Sequence, residues 1–168
     1  MGRRFESCRA HQVILSAVAF VVSPFSDARW PRAREHTMPC SYAIHKDRRL
    51  VITKIWDRLA FPELRAHQEE FRNDPDFDPE YNLLIDATGA TALDISVDQA
   101  RTIASQGLFA PTSRRAFLVS NPALFGMARL IGVYHGMATK QEQVVRVFYD
   151  RALAFEWLGV KDDPEEKR

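Results

Sequence analysis

The sequence predicts an α/β domain: a mostly parallel five-stranded sheet covered by four helices, in the order β-β-α-β-α-β-α-β-α. Three observations predict it. From Met38 onward, short apolar or β-branched runs alternate with stretches of helical period. Helix-capping residues directly follow several of those runs. Only the first two runs are close enough to pair as a hairpin, so the later strands need right-handed crossovers and lie parallel.

The first strand is read from Tyr42 and Ile44 alternating with Ser41, Ala43 and His45. Lys46-Asp47-Arg48-Arg49 is a polar turn, and the β-branched residues 50–56 return as the second strand. Pro62 suits the first turn of a helix, where its missing N–H leaves no bond unmade. Leu64, His67/Gln68 and Phe71 mark one face of that helix, and Asn73-Asp74-Pro75 stops it. Residues 74–80 form an acidic loop, read as a solvated connection. The third strand is residues 81–85, apolar on both faces and therefore central. It ends at Asp86 in a loop of small residues. Ser96 then caps a helix with Val97, Ala100, Ile103 and Ala104 inward.

Residues 115–119 are the fourth strand, after which Asn121 caps a helix and Pro122 occupies its first position. Leu124, Met127, Ala128, Ile131 and Tyr134/His135 recur along this third helix. Residues 144–148 are the fifth strand. Asp150 caps a last helix whose apolar face is drawn from Ala152, Leu153, Phe155, Glu156, Trp157 and Leu158, and Gly159 ends it.

The 168 residues carry a net charge of +1 and 27% charged residues, which fits one soluble domain and gives no basic stripe for nucleic acid. The domain is expected over residues 38–160, with a charged tail over 161–168. Residues 1–37 hold six arginines against Glu6, Asp27 and Glu35, a net of +3, and have no regular pattern. They are expected to be a non-native or disordered extension, with translation starting at Met38. Arg3 through Gln12 can be back-translated as CGC AGG TTC GAA TCC TGC CGG GCG CAC CAG, one choice among synonymous codons. That choice sets complementary GCAGG and CCTGC around TTCGAAT, like the T-arm and CCA end of a transfer-RNA gene read in frame. Upstream DNA without such a gene overturns that reading. The apolar run at 13–22 also has the form of a signal peptide's core, but it is too short to span a bilayer. Cys8 and Cys40 make no disulfide framework, and a reducing cytoplasm is expected.

No nucleotide fingerprint, metal-binding histidine spacing or nucleophile elbow is present in the sequence. The expectation is a non-enzymatic module without cofactor or metal. Asp86, Thr88 and Gly89 after the third strand, with Ser120 and Asn121 after the fourth, gather at strand ends where α/β domains take ligands. Helix starts at Ser96 and Asn121 add positive dipole ends that suit an anion or a polar head group. The plain alternative is that Asp86 accepts loop N–H bonds while Ser96 and Asn121 only cap. On the third helix, Arg129 and Tyr134 stand in a stripe with Phe125, Gly126, Met127, His135 and Met137 that can adapt to a partner or ligand, the plain alternative being core packing.

Three short segments resemble the STAS-like, anti-sigma-factor-antagonist-like (SpoIIAA-like) domains over roughly residues 40–160. They are Leu83-Leu84-Ile85-Asp86, Phe125-Gly126-Met127-Ala128-Arg129, and the strand-to-helix ending Val147-Phe148-Tyr149-Asp150-Arg151-Ala152-Leu153-Ala154-Phe155-Glu156-Trp157-Leu158. The family's phosphorylated members carry Asp-Ser-Ser/Thr-Gly after the third strand. Here the match reads Asp94-Ile95-Ser96-Val97, with Ile95 at the phosphoacceptor position and Val97 for the glycine, so no such phospho-switch is expected. The resemblance implies a cytoplasmic regulatory module that binds a protein partner through the loop and helix after the third strand, Asp94 and Ser96 included. The alternative is a carrier or sensor of a small apolar or anionic, lipid-like ligand between sheet and third helix, with Phe125, Met127 and Tyr134 around a cavity. An enzyme using Asp86 or His135 as a base comes third. A homodimer is the default assembly.

Overall fold

The computed structural model describes residues 38–140 and 144–161. The extension expected over 1–37 and the tail beyond Lys161 lie outside them. The observed elements are β1 (Cys40–His45), a 3-10 turn (Lys46–Arg48), β2 (Leu50–Ala60), α1 (Phe61–Arg72), β3 (Asn82–Asp94), α2 (Val97–Ser105), β4 (Arg115–Val119), α3 (Pro122–Thr139), β5 (Val145–Phe148) and α4 (Arg151–Leu158). The strands lie in the order β1-β2-β3-β4-β5. β1 is antiparallel to β2, and every later pair is parallel. The expected class and element order are therefore observed.

The third strand differs from expectation. It runs through Asp94, and β2 extends beside it to Ala60. Two register shifts, between Lys54 and Trp56 and between Asp57 and Arg58, keep the pair together, with Asp57 at φ 54°. Small residues that read as a loop here serve a bulged strand instead. A Cβ on Gly89 would lie 3.3 Å from the Ile55 carbonyl oxygen, so glycine permits the close approach of β2. Asp86, Thr88 and Gly89 are thus strand residues and not members of a loop.

Strand alternation then assigns the two faces. Val51, Ile55, Leu83, Ala87, Phe117 and Val119 pack toward α1, α2 and α3. Leu50, Ile52, Leu84, Ala116 and Leu118 pack against Ala154, Phe155 and Leu158 of α4. One-directional strand order with right-handed crossovers puts the three crossover helices on one side, which leaves the other to α4. Val97 is 52% exposed and Leu153 54%, and neither joins a core, as Ala100 and Ala104, or Phe155 and Leu158, do.

Candidate functional site

The residues expected to form one site are divided among several local roles. Asp86 points to the α4 side and is buried. Its Oδ2 accepts from Arg151 Nη1 at 2.6 Å, while its Oδ1 accepts from the Thr88 hydroxyl at 2.6 Å and the Thr88 N–H at 3.1 Å. Asp94 pairs with Arg58 on the surface. Ser96 forms a reciprocal cap: its hydroxyl accepts from Gln99 N–H at 3.2 Å, and its own N–H donates to the Gln99 side chain at 2.8 Å. Asn121 accepts from Leu124 N–H at 3.0 Å, and Ser120 beside it is exposed. Tyr134 lies under the Arg101 guanidinium, 5.2 Å from the ring centroid. Arg129 stands exposed on an open cleft of about 570 Å³ between α3 and β5, with Phe125, Val133, Met137 and Arg146. Met127 and Tyr134 line neither this cleft nor the internal cavity described next, and Phe125 stacks on Tyr149 at 5.2 Å.

A different group of residues comes together inside the protein. Between the sheet and α1, α2 and α3 lies a cavity of about 100 Å³. Its walls are largely aliphatic and aromatic, Ile55, Ile85, Ile103, Phe117 and Ile131 among them. Six polar side chains interrupt them: Thr53, His67, Gln68, Gln106, Arg115 and His135.

Arg115 opens β4, and alternation points it to the same side as Phe117. Its Nη1 lies 2.8 Å from His135 Nε2, and its Nη2 donates to the Phe109 and Ala110 carbonyls at 3.3 Å each. The Phe109 ring lies beneath it at 5.5 Å. None of the ion pairs among the described residues involves Arg115. Burial pulls the guanidinium down to about 10, so it remains a cation at neutral pH. His135 Nδ1 donates to the Ala104 carbonyl at 3.1 Å, which leaves Nε2 to accept from Arg115. Burial, then the Arg115 charge, lowers its pKa and keeps it neutral. His67 faces the Thr53 hydroxyl at 3.3 Å, and burial lowers it to about 4.

Three buried polar atoms of this wall have no hydrogen-bond partner among the described residues: Gln68 Oε1, Gln106 Oε1 and Arg115 Nε. Buried polar atoms are nearly always paired, so three around one small space are unusual. Outside the cavity, a surface hollow of about 260 Å³ is rimmed by Pro79, Gly107, Pro111 and Thr139, and it shares Ala104, Gln106, Phe109 and His135 with the cavity. Gln106 and His135 of the cavity wall therefore lie behind the hollow.

Sequence reasoning missed Arg115, Gln68 and Gln106 as site residues, and it named His135 as a member of the third helix's mixed stripe and as a base. One usable signal existed in an arginine at the head of an otherwise apolar strand. The side-by-side His67 and Gln68 on an inward helix face were another. Among the described residues, no group of three or more His, Cys, Asp or Glu is placed to hold a metal ion. No helix among them is long and apolar enough to cross a membrane.

No family model matches the chain, and no curated protein matches it. A solved structure of an uncharacterized protein from the DUF3478 family with a SpoIIAA-like fold, from Shewanella loihica PV-4, is similar to it. The two share 15% identity over 76% of this chain and 99% of that one, with a TM-score of 0.49.

Proposed function

We propose that the chain is a non-enzymatic carrier or sensor of a small ligand, held between the sheet and helices α1 to α3. One observation carries this reading: an apolar cavity whose wall presents three buried, unpartnered polar atoms. Ligand sites combine such apolar walls with a few convergent polar groups. An unpaired buried donor or acceptor costs about 1–3 kcal/mol, so a ligand that pairs with them relieves a cost already present in the fold. Residues 86–96 support a partner-binding role less well. Asp86 is held by Arg151 and Thr88, Ser96 by Gln99, and Asp94 by Arg58.

The test is native mass spectrometry of the full chain captured gently from its source cells. The reading expects a small-molecule adduct on the wild type, absent from Ala104→Phe and from Ile103→Trp, which fill the space. A co-purified protein with no adduct would overturn it in favour of an interaction module.

A further inference from the structure

We infer that the ligand is a short-chain monocarboxylic acid, its carboxylate on Arg115 at the mouth of the cavity and its apolar body directed inward. This rests on the proposed ligand site and names the class of molecule that pairs with its one unpartnered donor, Arg115 Nε–H; the Gln68 and Gln106 side-chain oxygens are acceptors, which a carboxylate leaves unpaired.

Arg115 is a buried cation whose neighbours are a neutral imidazole, two backbone carbonyls and a phenyl ring. Carbonyls and imidazole nitrogens accept its N–H groups but bring no net charge. A buried ion without a counter-ion is costly, and an incoming carboxylate supplies one. The donor left over is Nε–H, and the two Nη2 contacts are long at 3.3 Å. Nε–H and Nη2–H share one edge of the guanidinium, which a carboxylate can take with both oxygens. A phosphate would need to satisfy more charge than this single cation offers.

Position and size complete the case. Gln106 and His135 belong to both the cavity and the outer hollow, and Arg115 is tied to the carbonyls of Phe109 and Ala110, two residues of the hollow's rim. Gln106, Arg115 and His135 mark the outer end, and Ile55, Ile103 and Ile131 line the interior together with Thr53, His67 and Gln68. An acid entering from the hollow passes Gln106 and His135, which line both spaces, reaches the guanidinium behind them and leaves its hydrocarbon inside. An apolar cavity of about 150 Å³ accepts benzene. The space of about 100 Å³ here therefore accommodates a body of about four carbons on the same scale.

The experiment titrates the full chain with 3-methylbutanoate and with its neutral isostere 3-methylbutanamide, by calorimetry at pH 7.5. The acid is expected to bind at least about tenfold more tightly than the amide. Arg115→Met is expected to abolish that preference, and Arg115→Lys to weaken acid binding while keeping some of it. The lysine variant guards against a methionine variant that does not fold. Equal binding of acid and amide, or acid binding unchanged in Arg115→Lys, would overturn the carboxylate assignment and leave the cavity reading standing. No binding of either probe, nor of any straight-chain acid from acetate to octanoate, would overturn both.

Discussion

His67 is a base held in an apolar setting, 2% exposed, with its pKa lowered to about 4 from an ordinary value of 6.5. Between those values the unfolded chain takes up a proton that the folded chain refuses. Stability from this residue is therefore complete above about pH 6.5 and is lost as pH falls toward 4, by roughly 3 kcal/mol. Urea unfolding at pH 7 and pH 5 is expected to show a smaller loss in His67→Gln than in the wild type. A second residue-scale prediction concerns Asp86, whose side chain is 10% exposed against 31% for Arg151. Arg151→Met is expected to cost about 1–3 kcal/mol, because the carboxylate then lacks its cation while Thr88 still donates to it. Equal unfolding midpoints for the two proteins would refute this. Asp86 was legible in the sequence as a charge at the end of an apolar run. Its partner was not, because Arg151 lies 65 positions away on the opposite layer.

The helix ends are where sequence reading was most accurate, since caps are local chemistry. Ser96, Asn121 and Asp150 each accept from the N–H three residues on, as their positions implied. The third strand was read worst. Gly89, Ala90 and Ala92 have the composition of a loop, and their pairing with the neighbouring β2 makes them strand. Pairing of that kind is a tertiary effect that no window of sequence contains. The capping role of Ser96 yields a sharp contrast: Ser96→Ala is expected to cost about 1 kcal/mol, and Ser96→Asp close to nothing, since aspartate caps equally well. Thermal unfolding of both variants checks it, and a large loss in Ser96→Asp would point to a function beyond the cap. At the other end of a helix, Gly159 sits at φ 77° and closes α4. Gly159→Ala is expected to cost about 1 kcal/mol.

At the scale of the whole molecule, the α/β class was legible from alternating periods, whereas the cavity was not. Its wall draws on α1, α2, α3 and all strands from β2 to β5, so no local pattern marks it. The layers are also unequal. Among the described helices, α4 covers Leu50, Ile52, Leu84, Ala116 and Leu118. Removing residues 150–168 is expected to leave a protein that aggregates on purification, because that face becomes a contiguous apolar patch. A monodisperse truncated chain in light scattering would show that something else covers it.

The sequential strand order has a consequence in time. Each strand hydrogen-bonds to the one just before it in the chain. No strand has to wait for a distant neighbour, and no gap in the sheet has to be filled late. Loop closures are short for a parallel sheet, which favours rapid assembly from the β1–β2 hairpin outward. The exception is the side roofed by α4, which stays bare until that helix docks. A chain growing on the ribosome thus finishes one side of its sheet well before the other, and chaperone engagement is expected to end only once α4 has emerged.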